Sequence, residues 1–103
     1  MVTKMEKTVL KTKTKQQLQK PPMYMVLFHN DDYTTMEFVI LVLMSIFRKS
    51  ITEATSIMLE VHKSGVAMVG IYTYEVAQTS IKQVQILAEE YEYPLLVTLE
   101  EVV

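Results

Sequence analysis

The order of apolar patterns along residues 23–99 is the feature that most constrains how this chain can fold. A strand-like run at residues 24–29 precedes two segments with helical spacing. A second strand-like run then precedes a third helical segment and a last apolar run. The chain has 103 residues, half of them apolar, which suffices for one compact domain and not for two. The pattern predicts a small single α+β domain in the order β-α-α-β-α-β, with a three-stranded sheet packed against three helices.

Turn and capping residues indicate where the first helix begins and ends. Asn30, Asp31 and Asp32 interrupt the first strand, because such side chains bond their own backbone and favour turns. Thr34, with Glu37 three residues later, fits a capping box, which satisfies backbone N–H groups at a helix start. We predict a helix from there to about residue 49.

Similar signals mark the later elements. Thr52 is expected to open the second helix, and Gly65 is expected to end it as a left-handed cap. Residues 66–72 predict the second strand, and residues 74–91 predict a third helix because their apolar side chains recur at helical spacing. Residues 95–99 predict the last strand.

Charge is divided unevenly along the chain. Residues 1–20 contain six lysines and one glutamate, whereas the rest contains four basic and eleven acidic residues. The first segment is rich in Lys, Thr and Gln and poor in apolar residues, which is typical of a flexible tail. Pro21 and Pro22 favour extended chain at its boundary. We therefore predict a flexible basic tail over residues 1–20 and a folded, acidic domain over residues 21–103.

Composition also bears on location. The chain has no cysteine, which excludes disulfides and thiolate metal sites and fits a reducing cytoplasm. Residues 1–20 carry lysines throughout and lack the apolar region of a signal peptide. The most apolar run, residues 36–47, is far shorter than the roughly 20 residues that cross a bilayer. We expect a cytoplasmic protein without a membrane partner.

Catalytic motifs are missing from the sequence. It has no Gly-x-Ser-x-Gly, no His-Glu-x-x-His and no glycine-rich phosphate loop. Asp31, Asp32 and His62 leave a metal-dependent hydrolase open as an alternative, but no further strong ligand completes a zinc set with matching spacing. We expect no enzyme activity, no cofactor and no metal.

The acidic turn after the first strand is a candidate receptor for a cation. Asn30, Asp31 and Asp32 offer two carboxylates and one amide oxygen. An ammonium group carries three donors and no acceptor, so these acceptors match it with charge assistance. A free α-amino group at a protein N-terminus is one such ligand. The same residues are also typical of a turn that caps a helix, and the pattern alone leaves both interpretations open.

Apolar residues near this turn could form the walls of a pocket. Met58, Val61 and His62 share one face of the second helix, and Met36 and Val39 share a face of the first. Such a pocket would hold a large apolar side chain beside an amine, as at the start of a chain that begins with Leu, Phe, Tyr or Trp. Methionine also fills gaps in ordinary cores, and spacing alone does not bring the two helices together.

Taken together, these motifs resemble the ClpS family, the bacterial N-end-rule adaptors. The similarity rests first on residues 21–24 (PPMY) and 30–39 (NDDYTTMEFV), and it covers residues 21–103 in order. The further matches are Ala54-Thr55, Met58-Leu59, Val61-His62, Gly65, Gly70, Thr73, Glu75-Val76-Ala77, Pro94-Leu95-Leu96 and Thr98-Leu99-Glu100.

The resemblance implies an adaptor that binds N-degron substrates, which are proteins with a free α-amino group and a bulky hydrophobic first residue (Leu, Phe, Tyr or Trp). It implies that Asn30, Asp31 and His62 bind the α-amino group, and that Asp32 and Thr34 form the pocket edge. In this family a methionine acts as a gate that disfavours β-branched first residues, and the resemblance assigns that role to Met36. The hydrophobic pocket is expected to comprise Met36, Val39, Met58, Val61 and Leu95.

The same resemblance implies a partner, the N-terminal domain of ClpA, an AAA+ unfoldase that feeds the ClpP protease. Glu75 matches a docking position and Lys82 is expected to contribute, although a lysine common nearby is Ser80 here. A second departure is Thr35, where the family often has proline, a residue suited to the first helical turn. The tail is expected to take part in delivery.

A second class of function remains open from the residues alone. Small folds with this element order also serve as protein- or RNA-interaction modules that bind no N-degron. The acidic charge of residues 21–103 argues against a broad phosphate footprint, so we expect no nucleic-acid partner.

Overall fold

The computed structural model describes residues 21–103, so the tail predicted over residues 1–20 lies outside the described residues. The described part confirms the predicted order and fold class. Its elements are β1 (Met23–His29), α1 (Met36–Ser45), α2 (Ile51–Ser64), β2 (Val66–Thr73), α3 (Tyr74–Glu90) and β3 (Leu96–Val102).

The three strands form one antiparallel sheet in the order β2-β1-β3. Pairing between β1 and β2 skips Val69, since Val26 pairs with Gly70 and the next residue of β1 pairs with Met68. This bulge shifts the alternation of β2 by one residue and turns Tyr72 toward the helices. A Cβ at Gly70 would lie 2.6 Å from the Tyr72 hydroxyl oxygen, so only glycine leaves room for that ring.

The core lies between the sheet and the helices. Helix α3 contacts all three strands, and α2 contacts both α1 and β2. Rings of Phe28 and Phe47 meet edge to face with centroids 5.6 Å apart, the geometry that aromatic quadrupoles favour. The largest fully buried side chains are Phe28, Leu43, Val26, Val42 and Val84.

Helix α1 begins one residue later than the capping pattern predicts. Thr35 is the N-cap, and its hydroxyl accepts from the Phe38 backbone N–H at 3.2 Å. The predicted cap at Thr34 was wrong, because the Thr34 hydroxyl donates to the Asp31 carboxylate instead. Sequence spacing could not separate two adjacent threonines that are both able to cap.

The end of α1 also differs from the prediction. The helix stops at Ser45 and not near residue 49. Arg48 adopts a positive φ of 55°, and the Lys49 N–H donates to the Leu43 carbonyl at 3.0 Å, which folds the chain back before α2. The prediction was too long because the apolar pattern continues through residue 47 although the backbone turns.

Helix α2 is capped by Ser50 and not by Thr52. Ser50 and Glu53 form a reciprocal capping box, with the Glu53 N–H donating to the Ser50 hydroxyl at 3.1 Å. The left-handed cap at Gly65 is confirmed by its φ of 86°.

Candidate functional site

A loop between β1 and α1 holds the acidic residues, and Asp31 organises it. One carboxylate oxygen of Asp31, Oδ1, accepts from the Tyr33 N–H at 2.8 Å and from the Thr34 N–H at 2.7 Å. The other, Oδ2, accepts from the Thr34 hydroxyl at 2.7 Å. This is an Asx turn, in which the side chain replaces a backbone acceptor and fixes the loop. The interpretation as a turn is confirmed, whereas the role of Asp31 as a receptor for a cation stays a prediction.

These hydrogen bonds set the charge state of Asp31. Partial burial pushes its pKa upward, but the hydrogen bonds from Thr34 and Tyr33 together outweigh that and hold the pKa below its ordinary value. Three of about four lone-pair directions on the carboxylate are occupied. Asp31 is therefore ionised at neutral pH, and one acceptor direction, on Oδ2, takes no hydrogen bond from the loop.

The loop is tied to the end of α2. The Asn30 backbone N–H donates to the Gly65 carbonyl at 2.9 Å. Gly65 holds the left-handed conformation that ends α2, which places this carbonyl beside the loop. His62 lies in the last turn of α2, so the hydrogen bond between Asn30 and Gly65 holds that turn close to the loop.

A recess of about 510 Å³ opens between this loop and the facing sides of α1 and α2. Its walls are apolar side chains from both helices: Met36 and Val39 from α1, Met58 and Val61 from α2. Val39, Met58 and Val61 are at most 7% exposed and belong to the core, so the core fixes this part of the wall. Met36 is 41% exposed, which leaves its flexible thioether chain free to change rotamer at the opening.

The structure brings most of the predicted site residues to this one recess. Its polar lining includes all five predicted rim and edge residues, and its apolar lining includes four of the five predicted wall residues. Leu95 is absent from the lining; it is 8% exposed and part of the core, because it alternates with Val97 toward the helix layer. The predicted residues that line the recess are Asn30, Asp31, Asp32, Thr34, Met36, Val39, Met58, Val61 and His62.

Three further residues line the recess without having been predicted as site residues. They are Tyr33, Thr35 and Glu37. Every residue from 30 to 37 contributes, so the loop and the first turn of α1 line the recess as one continuous segment. The sequence signal for Tyr33 was an aromatic residue between an acid and two threonines in a segment that favours a turn, and the structure leaves this side chain 76% exposed.

The two predicted docking residues lie elsewhere, on α3. Glu75 is in its first turn, and Lys82 is seven residues later on the same stripe, about 10 Å along the axis. Both are exposed, and neither lines the recess. Ser80 is half-buried beside Glu75 in a shallow depression. Their role in docking stays a prediction.

The alternative of a metal-dependent hydrolase gains no support. Across residues 21–103, no three His, Asp, Glu or Cys side chains are grouped closely enough to hold a metal ion. Asp31, Asp32 and His62 line one recess but do not form such a group. Within the same residues, no helix is both long and apolar enough to cross a membrane.

A small α+β domain whose recess joins an acidic rim to apolar walls belongs to the class of ligand-binding modules. Comparison with known proteins gives the particular family. The family model for the ATP-dependent Clp protease adaptor protein ClpS matches residues 19–98, and the chain belongs to that family. It is accordingly an adaptor of the Clp protease and not an enzyme.

Individual relatives agree with the family assignment. The chain is 52% identical over 87 residues to the ClpS adapter of Lawsonia intracellularis, covering 84% of this chain and 80% of that one. It is 46% identical over 95 residues to the ClpS adapter of Acetivibrio thermocellus, covering 92% and 96%. The structure of Agrobacterium tumefaciens ClpS2 bound to L-phenylalaninamide superposes with a TM-score of 0.77 at 36% identity, covering 81% of this chain and all of that one.

Proposed function

We propose that this chain binds N-degrons through the recess and delivers them to a ClpA-type unfoldase. The observation that carries the proposal is the joining of an acidic rim and an apolar wall in one opening. The rim is suited to a free α-amino group and the wall to the first side chain of the same residue. Few ligands other than a protein N-terminus present a cation and a large apolar group on one carbon atom.

The rim supplies acceptors for the three N–H donors of an ammonium group. Asp31 contributes its charge and the remaining acceptor direction on Oδ2. The Asn30 side chain contributes an amide oxygen, and the imidazole of His62 contributes a ring nitrogen that accepts in the neutral form. Asp32 adds a second negative charge at the edge, where solvent weakens its attraction.

The apolar wall of the recess suits a ligand whose first residue has a bulky side chain. A volume of about 510 Å³ accommodates Leu, Phe, Tyr or Trp and leaves room for the following peptide bond. Met36 lies at the opening, so a side chain branched at Cβ would meet it close to the backbone of the ligand. We propose that this contact disfavours Ile and Val as first residues.

The expected affinity follows from typical magnitudes. Burying a Leu or Phe side chain contributes roughly 1.5–3 kcal/mol. Each charge-assisted hydrogen bond to the ammonium adds about 1.5–3 kcal/mol net. Association and ordering subtract several kcal/mol from this gross gain, which leaves a dissociation constant of about micromolar for a short peptide.

The Agrobacterium relative supports this assignment. Its ligand, L-phenylalaninamide, has a free α-amino group, a benzyl side chain and an amide in place of the next peptide bond. That small molecule therefore has the chemistry of a chain that begins with Phe. The acidic rim and apolar wall of this chain's recess suit that pairing of an amine with an apolar side chain, which is the reason to propose the same class of ligand.

Delivery forms the second half of the proposal. We propose that the exposed stripe of α3 containing Glu75 and Lys82 contacts the N-terminal domain of the unfoldase. The stripe lies outside the recess, so the surfaces proposed for the degron and for the unfoldase are separate. Ser80 replaces a cation beside Glu75, and we therefore expect weaker docking than in relatives with lysine there.

The test is fluorescence anisotropy with labelled peptides that differ only in the first residue: Leu, Phe, Ile, Ala and acetylated Leu. Tight binding of Leu and Phe alone supports the N-degron assignment. Equal binding of all five peptides contradicts it, because neither the amine nor the side chain would then be recognised. Absence of binding throughout also contradicts it and favours an interaction module of another kind.

A further inference from the structure

Strand β3 forms one edge of the sheet, and within residues 21–103 no strand pairs with its outer side. The other edge is β2, whose pairing with β1 is interrupted by the bulge at Val69, and a bulge of this kind turns an edge away from further pairing. By contrast, β3 pairs with β1 at seven successive positions without a shift, and it contains no proline, glycine or lysine. The outer side of β3 is therefore the edge that can accept another strand.

A groove of about 500 Å³ lies between β3 and α3. Its lining from the sheet is Val97, Thr98 and Leu99, and no described residue of β1 or β2 contributes. The groove therefore opens at the free edge, where the unpaired backbone groups of β3 lie. A strand added at this edge would fill the groove with the side chains that it directs toward the helices.

The α3 side of the groove indicates which side chains such a strand needs. Gln78, Ile81, Lys82 and Gln85 line it and share one stripe of the helix over two turns. Lys82 is the one charged residue in this lining within residues 21–103, and it is exposed. An added strand therefore fits best if it carries a carboxylate near Lys82 and an apolar side chain beside Leu99. The segment 1–20, with six lysines and one glutamate, has the wrong charge for this groove.

Strand β3 itself has this chemistry. Val97 is buried and Leu99 packs against the core, so alternation places Glu101 on the helix side as well. The pairing of Glu101 with Tyr24, which also packs against the core, agrees with that placement. An antiparallel second β3, related by a two-fold axis perpendicular to the sheet, keeps its helices on the same side. It therefore directs its own Glu101 and Leu99 into the groove.

One register pairs the two strands over their whole length. With the two-fold axis at Leu99, the middle residue of β3, Leu96 lies opposite Val102 of the second copy and all seven residues are paired. An axis at a neighbouring residue leaves two residues of each strand without a partner. An axis halfway between two residues is excluded, because directly opposite residues must lie on the same face of the sheet.

The same register satisfies the side chains. Glu101 of each copy lies opposite Val97 of the other, in the groove that Lys82 lines, and Glu100 lies opposite Thr98. No acid faces another acid across the two strands, and like charges directly opposite would be unfavourable. Each contact occurs twice, as in an isologous interface. We propose that the free edge of β3 is the interface of a symmetric dimer of this chain, in which two three-stranded sheets join into one.

The contact is one strand wide, which limits its strength. It buries less than the roughly 800 Å² per partner of a standard stable interface, so we expect a weak dimer that exchanges with monomer. The groove shares no lining residue with the recess, so this inference stands or falls separately from the proposed degron binding. Because Lys82 is covered in the dimer, dimer formation and the proposed unfoldase docking exclude one another, and the experiments use the chain alone.

The first experiment is sedimentation equilibrium of the full chain from low micromolar to near-millimolar concentration. Lys82→Glu should raise the dimer dissociation constant about tenfold, because it sets an acid beside Glu101 of the other copy twice per dimer. Glu101→Lys should have the same effect, and the double variant should restore the wild-type constant. The matched controls are Lys63→Glu and Glu60→Lys, which change the net charge equally at exposed positions of α2 and should leave the constant unchanged.

The second experiment tests the register by cross-linking, since the chain has no cysteine of its own. Under mild oxidation Leu99→Cys should form a disulfide with itself, because directly opposite Cα atoms lie about 4.5–5.5 Å apart, within the reach of a disulfide. The control Leu96→Cys should not, because its two copies lie six residues apart along the strand, about 20 Å. A mixture of Leu96→Cys and Val102→Cys chains should form the mixed disulfide, and both of these positions are exposed, so this pair tests the register even if Leu99→Cys impairs folding.

Three outcomes would overturn the proposal. The first is a wild-type chain that stays monomeric at every concentration. The second is a double charge reversal that fails to restore the dimer. The third is cross-linking of Leu96→Cys with itself at least as efficient as that of the mixed Leu96→Cys and Val102→Cys chains, because the strands would then pair in another register or not at all.

Discussion

The rim and the wall of the recess are built in different ways. Most of the rim is one continuous loop, residues 30–35, whose shape comes from hydrogen bonds that Asp31 accepts from residues two and three positions later, and His62 of α2 completes the rim. The wall comes from two helices, and three of its four side chains are also part of the core. Local chemistry therefore shapes the rim, whereas tertiary packing shapes the wall.

This difference sets what each part contributes to recognition. Asp31 both shapes the loop and carries the charge proposed to face the amine, so we expect the rim to discriminate sharply between a cation and a neutral group. A wall of flexible Met and stiff Val side chains tolerates changes of shape, so it can grade one apolar side chain against another. The following predictions test that division, from the largest expected effect to the smallest.

Asp31→Ala should abolish degron binding and loosen the rim. It removes the charge proposed to face the ammonium and the acceptor of three hydrogen bonds within the loop. We expect a loss of about 3 kcal/mol or more in binding a Leu peptide, since a charged hydrogen bond alone contributes about 1.5–3 kcal/mol. Isothermal calorimetry measures the loss, and circular dichroism reports the fold.

Asp31→Asn is the matched control for that variant. Its amide oxygen can still accept from the N–H groups of Tyr33 and Thr34, while the charge is gone. Weak binding in both variants, with an intact fold in the Asn variant, assigns the loss to charge. Normal binding in the Asn variant would show that Asp31 serves the loop alone and would contradict its role toward the amine.

Acetylating the peptide N-terminus tests the rim without changing the protein. The modification removes the positive charge and leaves the acceptors of the rim without a donor. Binding should fall by about 2 kcal/mol or more, roughly thirtyfold. The control is a Leu peptide acetylated on an internal lysine. Equal binding of the N-acetylated and free peptides would mean that the wall alone drives recognition.

Met36→Ala should change selectivity more than affinity. The variant removes the exposed chain at the opening, so Ile and Val peptides should gain about 1 kcal/mol while Leu peptides lose about as much apolar contact. Anisotropy with the four first residues Leu, Phe, Ile and Val measures the ratio. Met44→Ala is the control, because Met44 has nearly the same exposure on the same helix but lies outside the recess. An unchanged preference for Leu over Ile would show that Met36 does not select against β-branched first residues.

The same division explains how much the sequence could predict. The acidic turn was predicted correctly, because Asn and Asp favour turns through contacts within a few residues, although the cap fell on Thr35 and not on Thr34. The approach of α1 to α2 could not be derived from spacing, since it depends on Val39 of α1 packing near Met58 and Val61 of α2. Only the resemblance to a family linked the two helices in advance. Leu95 shows the limit of that resemblance, because it is 8% exposed, belongs to the core and does not line the recess.

The smallest expected effect concerns pH and again separates rim from wall. Because the pKa of Asp31 is lower in the folded chain than in the unfolded one, the unfolded state binds more protons between those two values. The stability that Asp31 contributes is therefore fully present above its ordinary pKa and is lost as pH falls through the lower, folded value. Asp31 is partly exposed and solvent screens its contacts, so we expect a difference of less than about 1 kcal/mol.

Urea unfolding of wild type and Asp31→Asn at a series of acidic pH values measures this difference. The two curves should converge below that folded pKa, while a wall variant such as Val39→Ala should differ from wild type by the same amount at every pH. A gap for Asp31→Asn that stayed constant with pH would show that its hydrogen bonds in the rim do not depend on its charge.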